Sequence, residues 1–216
     1  MRLLDNILEE INASLKTNLN GLDEYGNLGN LIQFWREAWN EEFDDINAEG
    51  LTFPTVNQGS GSGTRITPDD NYALQVYHRV LDSENVEDTS KGVGKNIHRF
   101  RHYSMRMVVI GNINLLPVRT FETNTDLMSL VYQAMPRFMN DPYKESIIMG
   151  NEQPNKITMY SEEYAGHNFK HLMLNLLGFY VDYVIQQRSD CGTITNDPII
   201  TLNDVAAIVG NANAVV

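Results

Sequence analysis

Residues 98–110, HRFRHYSMRMVVI, decide the fold. Read as a strand, Phe100, His102, Ser104, Arg106, Val108 and Ile110 share one face. Arg99, Arg101, Tyr103, Met105, Met107 and Val109 share the other. The last third is apolar on both faces, which predicts burial in a sheet. The part before it carries three arginines and two histidines, which predicts an end reaching beyond the core.

Working outward, Tyr72–Val80 alternates in the same way and predicts a partner strand. Between the two, residues 82–96, DSENVEDTSKGVGKN, are polar and glycine-bearing and read as a hairpin tip or loop. Downstream, Gly111 and Pro117 mark a loop, and Asp126–Met139 shows a helical stripe of Leu127, Leu130, Val131, Ala134 and Phe138. Thr125 or Asn124 suits its cap, and Pro136 predicts a kink. Residues 140–156 read as loop and Ile157–Tyr160 as a strand. In the run 169–187, FKHLMLNLLGFYVDYVIQQ, the aromatic and β-branched part Phe179–Ile185 predicts a strand. Leu172, Met173, Leu176 and Leu177 fit either a helix or the start of that strand, with Gly178 as junction or bulge.

Upstream, Leu3, Leu4, Ile7, Leu8, Ile11 and Leu15 recur at helical spacing and predict a helix over 2–17. Leu31, Ile32, Trp35, Ala38 and Trp39 predict a second helix over Leu28–Phe43. Leu51–Val56 reads as a short strand, at an edge because of Pro54. QGSGSGT at 58–64 reads as a flexible loop. The sum is an α+β domain: an antiparallel sheet of long strands packed on a kinked helix, with N-terminal helices and a C-terminal arm. The expected divisions are 1–26 (N-terminal helix or arm), 27–188 (main domain) and 189–216 (C-terminal arm).

The 216 residues suffice for one domain with a core. The net charge of −12 argues against a protein that grips phosphate backbones, while suiting one that DNA passes without sticking. Cys191 is the only cysteine, so neither an intrachain disulfide nor a multi-cysteine zinc site is expected. The start, MRLLDNILEEINASL, lacks the apolar core of a signal peptide, and no run is long enough for a membrane helix. These features predict a protein of the cytoplasm, or one assembled there and exported only within a particle, with no membrane partner.

Two His-x-x-x-His pairs are the metal candidates. His98 and His102, on a strand, lie ~13 Å apart, too far to share an ion. His167 and His171, with Glu162 and Glu163 nearby, fit better on a helix and define the rival reading of a small metal-dependent enzyme. Acidic pairs such as Asp44–Asp45, Asp69–Asp70 and Glu162–Glu163 read as solvated surface. GSGSGT at 59–64 lacks the lysine of a phosphate loop, and KGVGK at 91–95 suits a hairpin tip. No catalytic constellation, metal or cofactor is expected. The run His98–Arg106 mixes cations and aromatics that could touch nucleic acid by phosphate contact and stacking, but in so acidic a chain Arg99, Arg101, His102 and Arg106 point rather to contact with an acidic patch on a neighbouring subunit. Trp35 and Trp39 are the aromatic candidates for core or subunit interface.

The order of elements, carried by Tyr72–Val80, Arg101–Ile110, the proline-bearing helix Asp126–Met139 and the strand Phe179–Ile185, resembles the phage tail terminator family over roughly residues 28–187. The resemblance implies a non-catalytic virion protein, assembled in the host cytoplasm. It would form a homo-oligomeric ring, a hexamer or larger, at the head–tail junction, as a terminator or another neck ring; an adaptor of the same fold class that forms no ring is a further alternative. Neighbouring neck and tail proteins are its implied partners, and DNA would pass without sequence-specific binding. The chain departs from that pattern in its extra N-terminal helix and C-terminal arm.

Overall fold

The computed structural model describes residues 4–22, 31–43, 50–57, 63–81, 85–89, 98–116, 124–137, 146–153, 155–167 and 175–189. The elements are α1 (Leu4–Leu22), β1 (Ile32–Phe43), β2 (Leu51–Asn57), β3 (Gly63–Arg65), β4 (Leu74–Val80), β5 (Asn85–Thr89), β6 (His98–Asn112), α2 (Asn124–Ala134), β7 (Ser146–Gln153), α3 (Lys156–Glu163) and β8 (Leu176–Ser189). The architecture is α+β, as the sequence predicts. The sheet runs β3-β2-β1-β4-β6-β8-β7, with β5 on β6.

β6 is the spine. On one side it pairs antiparallel with β8 from Arg99↔Ser189 to Asn112↔Leu176. On the other it meets β4, from Val80↔Met105 to Leu74↔Gly111, and then β5, from Asn85↔His102 to Thr89↔His98. The polar stretch after β4 thus contributes a short strand that continues the hairpin. The sheet is mixed and not wholly antiparallel, because β1 runs parallel to β4.

Several local expectations are corrected. Leu28–Phe43 is not a helix: its described part forms β1. A bulge between Phe34 and Glu37 shifts the register against β4, and an extra residue breaks strict alternation. The apolar positions Ile32, Trp35 and Ala38 then imitate a helical period. Pro136 ends a helix where a kink is expected. α2 stops at Ala134, since proline lacks an N–H and disfavours helical geometry in the residue before it. Residues 146–153, expected as loop, form β7, with a register shift between Met149 and Glu152. Ile157–Tyr160 lies in helix α3 and not in a strand. The Asn155 side chain caps it by accepting from the N–H groups of Ile157 (2.9 Å) and Thr158 (3.4 Å). Leu176, Leu177 and Gly178 belong to β8, and β2 lies inside the sheet between β1 and β3. Residues 58–62, 90–97, 168–174 and 190–216 lie outside the described residues, so the loop at 58–64 in its first part, His171, Cys191 and the C-terminal arm do too.

The sheet separates two apolar clusters. One joins α1 and α2 to Leu74, Val76, Met105, Met107, Val109, Phe179, Val181, Tyr183 and Ile185. The other joins Met159, Tyr160 and Tyr164, from α3 and just after it, to Tyr77, Val108, Ile110 and Tyr180. The odd and even residues of each strand therefore face different helices, as alternation requires. α1, expected as a segment apart from the main domain, supplies Ile7, Leu8, Ile11, Leu15 and Leu19 to the first cluster, each at most 1% exposed. Asn18 Nδ2 donates to Ala134 O at 2.7 Å and ties α1 to the end of α2. No helix among the described residues is long and apolar enough to cross a membrane.

Candidate functional site

The two halves of β6 differ in what surrounds them. Met105 and Met107–Asn112 are buried, while Phe100, Arg101, His102, Tyr103 and Ser104 are each partly exposed. Pairing does not stop at this change: β5 and β8 accompany β6 to His98 and Arg99. The outer end is therefore a ledge of β5, β6 and β8, which β7 joins beside Val184–Gln186, stiffened by backbone hydrogen bonds on both sides of β6. Arg99, Arg101 and His102 are all carried on it.

Arg106 stands at the boundary and has partners within the chain. Its Nε donates to Asp182 Oδ1 at 2.7 Å and its Nη2 to Asp182 Oδ2 at 3.2 Å. Its Nη1 donates to Glu162 Oε2 at 3.0 Å, and the guanidinium lies 3.6 Å from the Tyr180 ring centroid. The paired geometry with Asp182 matches the planar fork of arginine. Arg106 thus fastens α3 to the sheet.

Beside it lies a second ion pair. Arg79 Nη1 is 2.6 Å from Glu163 Oε1, and Tyr77 Oη donates to Glu163 Oε2 at 3.0 Å. The Glu163 side chain is fully buried, whereas the sequence suggests a solvated Glu162–Glu163 pair. Burial raises the Glu163 pKa above its ordinary value, against the pull of Arg79 and Tyr77. With both oxygens occupied and no solvent access, this carboxylate acts as a clip between β4 and α3.

On the opposite face, His78 is fully buried between Asn12 and Tyr183. Its Nε2 lies 2.8 Å from Asn12 Oδ1, and its Nδ1 lies 2.8 Å from Tyr183 Oη. Asn12 Nδ2 already donates to Trp35 O at 3.0 Å. Asn12 Oδ1 is thus left to accept, which puts the imidazole proton on Nε2 and leaves Nδ1 to accept from the Tyr183 hydroxyl. Burial lowers the His78 pKa to about 3. The triad links α1, β4 and β8 with a neutral ring.

Trp35 and Trp39 come together in a surface cleft of about 720 Å³, which Asp5, Phe34, Arg36, Glu37, Val56 and Asn57 also line. Trp39 is 41% exposed. Arg36 approaches Asp5 only to 3.9 Å, with both side chains more than half exposed. Desolvation, and then the Asp5 charge, push the Glu37 carboxyl above its ordinary range.

Of the metal candidates, His98 and His102 are both on β6, as expected. His167 follows α3, with Nε2 3.1 Å from Thr52 O and its ring edge-on to Phe53 at 4.4 Å. Among the described residues, no group of three His, Cys, Asp or Glu side chains could hold a metal ion. The residues that sequence reasoning missed are Asp182, Asn12 and His78, and Glu163 is buried in an ion pair where the sequence suggests a solvated surface. Asp182 did carry a signal, since an acid inside the apolar run FYVDYVI needs a cationic partner. No family model and no curated protein matches the chain.

Proposed function

We propose that this protein is a non-catalytic structural component of a phage particle, forming a homo-oligomeric ring at the head–tail junction as a tail terminator or another neck ring. The observation that carries this reading is the outer end of β6. A ledge paired on both sides presents partly exposed Phe100, Arg101, His102 and Tyr103. Aromatic and arginine side chains on a stiff backbone are what protein interfaces favour, because little conformational entropy is lost on docking. Two further features agree. The ion pairs of Glu163 with Arg79 and of Arg106 with Glu162 and Asp182 hold α3 to the sheet. The net charge of −12 suits a ring through which DNA passes without adhering.

Native mass spectrometry of the purified protein, with immunolabelling of particles in the electron microscope, tests the proposal. A single closed oligomer and a label at the head–tail junction are expected. A protein that stays monomeric at every concentration and is absent from particles would overturn it.

A further inference from the structure

α3 covers only part of its face of the sheet. Its end reaches the level of Arg106 and Asp182, which pair across β6 and β8, and there Arg106 Nη1 donates to Glu162 Oε2. Just beyond, an apolar row crosses from the end of β4 over β6 and β8 to β7. Leu81 N–H donates to Ser104 O at 2.8 Å. Ser104 pairs with Val184, and Val184 with Ile148. Their chain neighbours Val80, Tyr103, Met105, Tyr183, Ile185 and Ile147 pack in the cluster under α1 and α2. Alternation therefore turns Leu81, Ser104, Val184 and Ile148 to the α3 face.

Leu81 is 42% exposed and Ile148 51%, and Ser104 and Val184 are half-buried. Polar groups rim the row on both sides. Inward stands the Arg106–Asp182 pair. Outward, Ser146 Oγ donates to Gln186 Oε1 at 3.2 Å. One exposed apolar residue needs no explanation. A row spanning ~14 Å, at ~4.8 Å per strand spacing, between two polar rims is the form of a docking surface.

The chain carries a segment suited to it. β8 ends at Ser189, level with Arg99 and ~16 Å beyond Val184 at ~3.3 Å per residue. From Ser189 to Ile199 the chain can span up to ~33 Å, enough to turn back to the row. Ile199, Leu202, Val205, Ala206 and Val209 then recur at helical spacing, and Gly210 follows. At ~1.5 Å per residue such a stripe is ~15 Å long, enough to touch Leu81 and Ile148 together.

We propose that residues 199–209 seat this apolar stripe on the Leu81–Ser104–Val184–Ile148 row of their own chain. Burial of Leu81, Val184 and Ile148 against it drives the seating. The short tether from Ser189 presents the segment to its own row at an effective concentration in the millimolar range, ahead of the row of a second copy. The seating requires no ring.

Hydrogen exchange of the full chain, read by mass spectrometry, tests this. Amides of 199–209 should exchange at least about tenfold more slowly in the wild type than in Leu81→Glu with Ile148→Glu, and dilution to the monomer should not change their protection. β4, β6 and β8 should stay protected in that variant, as the control for folding. Leu202→Asp with Val209→Asp alters no described residue of the sheet. It should lose the same protection and also speed exchange in β7, so it decides the matter if the first variant fails to fold. Equal exchange of 199–209 in the wild type and the variants, or a β7 indifferent to the tail substitutions, would overturn the proposal. Protection that appears only in an oligomer would overturn seating within one chain and assign the row to the segment of a second copy.

Discussion

The inner and outer halves of β6 are one strand paired along its whole length, yet their side chains differ in burial. From Met105 to Asn112 all but Arg106 are buried, between α1 and α2 on one face and α3 on the other. From Phe100 to Ser104, β5 and β8 still pair with it, but its side chains are partly open to solvent. Backbone pairing alone therefore does not mark the core. Side-chain burial in β6 does: it is complete from Met105 to Asn112 except at Arg106, whose guanidinium meets two carboxylates, and partial from Ser104 out to Phe100. On this account the inner half stabilises the subunit, and the outer half is kept for another subunit.

The largest effect that sharpens this contrast comes from pH. His78 sits across from Met107 in the inner half, and its pKa falls from 6.5 in the unfolded chain to about 3 when folded. Between these values only the unfolded chain takes up the proton. The stability contributed by neutral His78 is complete above pH 6.5 and falls by ~1.4 kcal/mol per pH unit below it, about 3 kcal/mol by pH 4. Urea titrations from pH 7 to pH 4 check this, and His78→Phe should flatten the slope. Glu163, with its raised pKa, works in the opposite sense: it favours folding below its unfolded pKa, and that contribution fades as pH rises through the folded one.

The next effect is steric. Gly178 pairs with Ile110, and a Cβ there would press on Met159 Cε and come within 2.9 Å of Tyr160 Cε2. Tyr160 is fully buried and donates to Leu177 O at 3.1 Å, so its ring has little room to move. Gly178→Val should cost about 2–3 kcal/mol by thermal unfolding. At the boundary, Arg106→Ala leaves Asp182 and Glu162 without their cation and should cost about 1–2 kcal/mol, since both carboxylates keep some access to water. The smallest effect belongs to the outer half. Phe100→Ser should change subunit stability by under about 0.5 kcal/mol while reducing assembly in sedimentation experiments. A large loss of stability there would erase the distinction between the halves.

The same division explains what could be read in advance. β4, β6 and the Phe179–Ile185 part of β8 were legible because long runs there are dominated by apolar, aromatic and β-branched residues. α1 was legible because Ile7, Leu8, Ile11 and Leu15 keep a helical period. β1 was not, because its bulge between Phe34 and Glu37 destroys the period-two signal on which a strand is recognised. β7 was hidden because an edge strand with a register shift near Gly150 needs few apolar residues. The basic residues of β6 were visible as a group, but not the partners of Arg106. Nothing local in the sequence says that Arg106 meets Asp182 and Glu162, residues brought to it by β8 and α3. Trp35 and Trp39 suit a helical spacing in the sequence, and on strand β1 they line one cleft.

The most direct test of the central claim is an electron cryomicroscopy reconstruction of the purified protein in its assembled state. The account predicts a closed ring in which Phe100–Ser104 of each copy is buried at the subunit contact while Met105–Asn112 keeps its place in the subunit core. A ring whose contacts leave the outer half of β6 in solvent, or particles that contain only monomers, would contradict it.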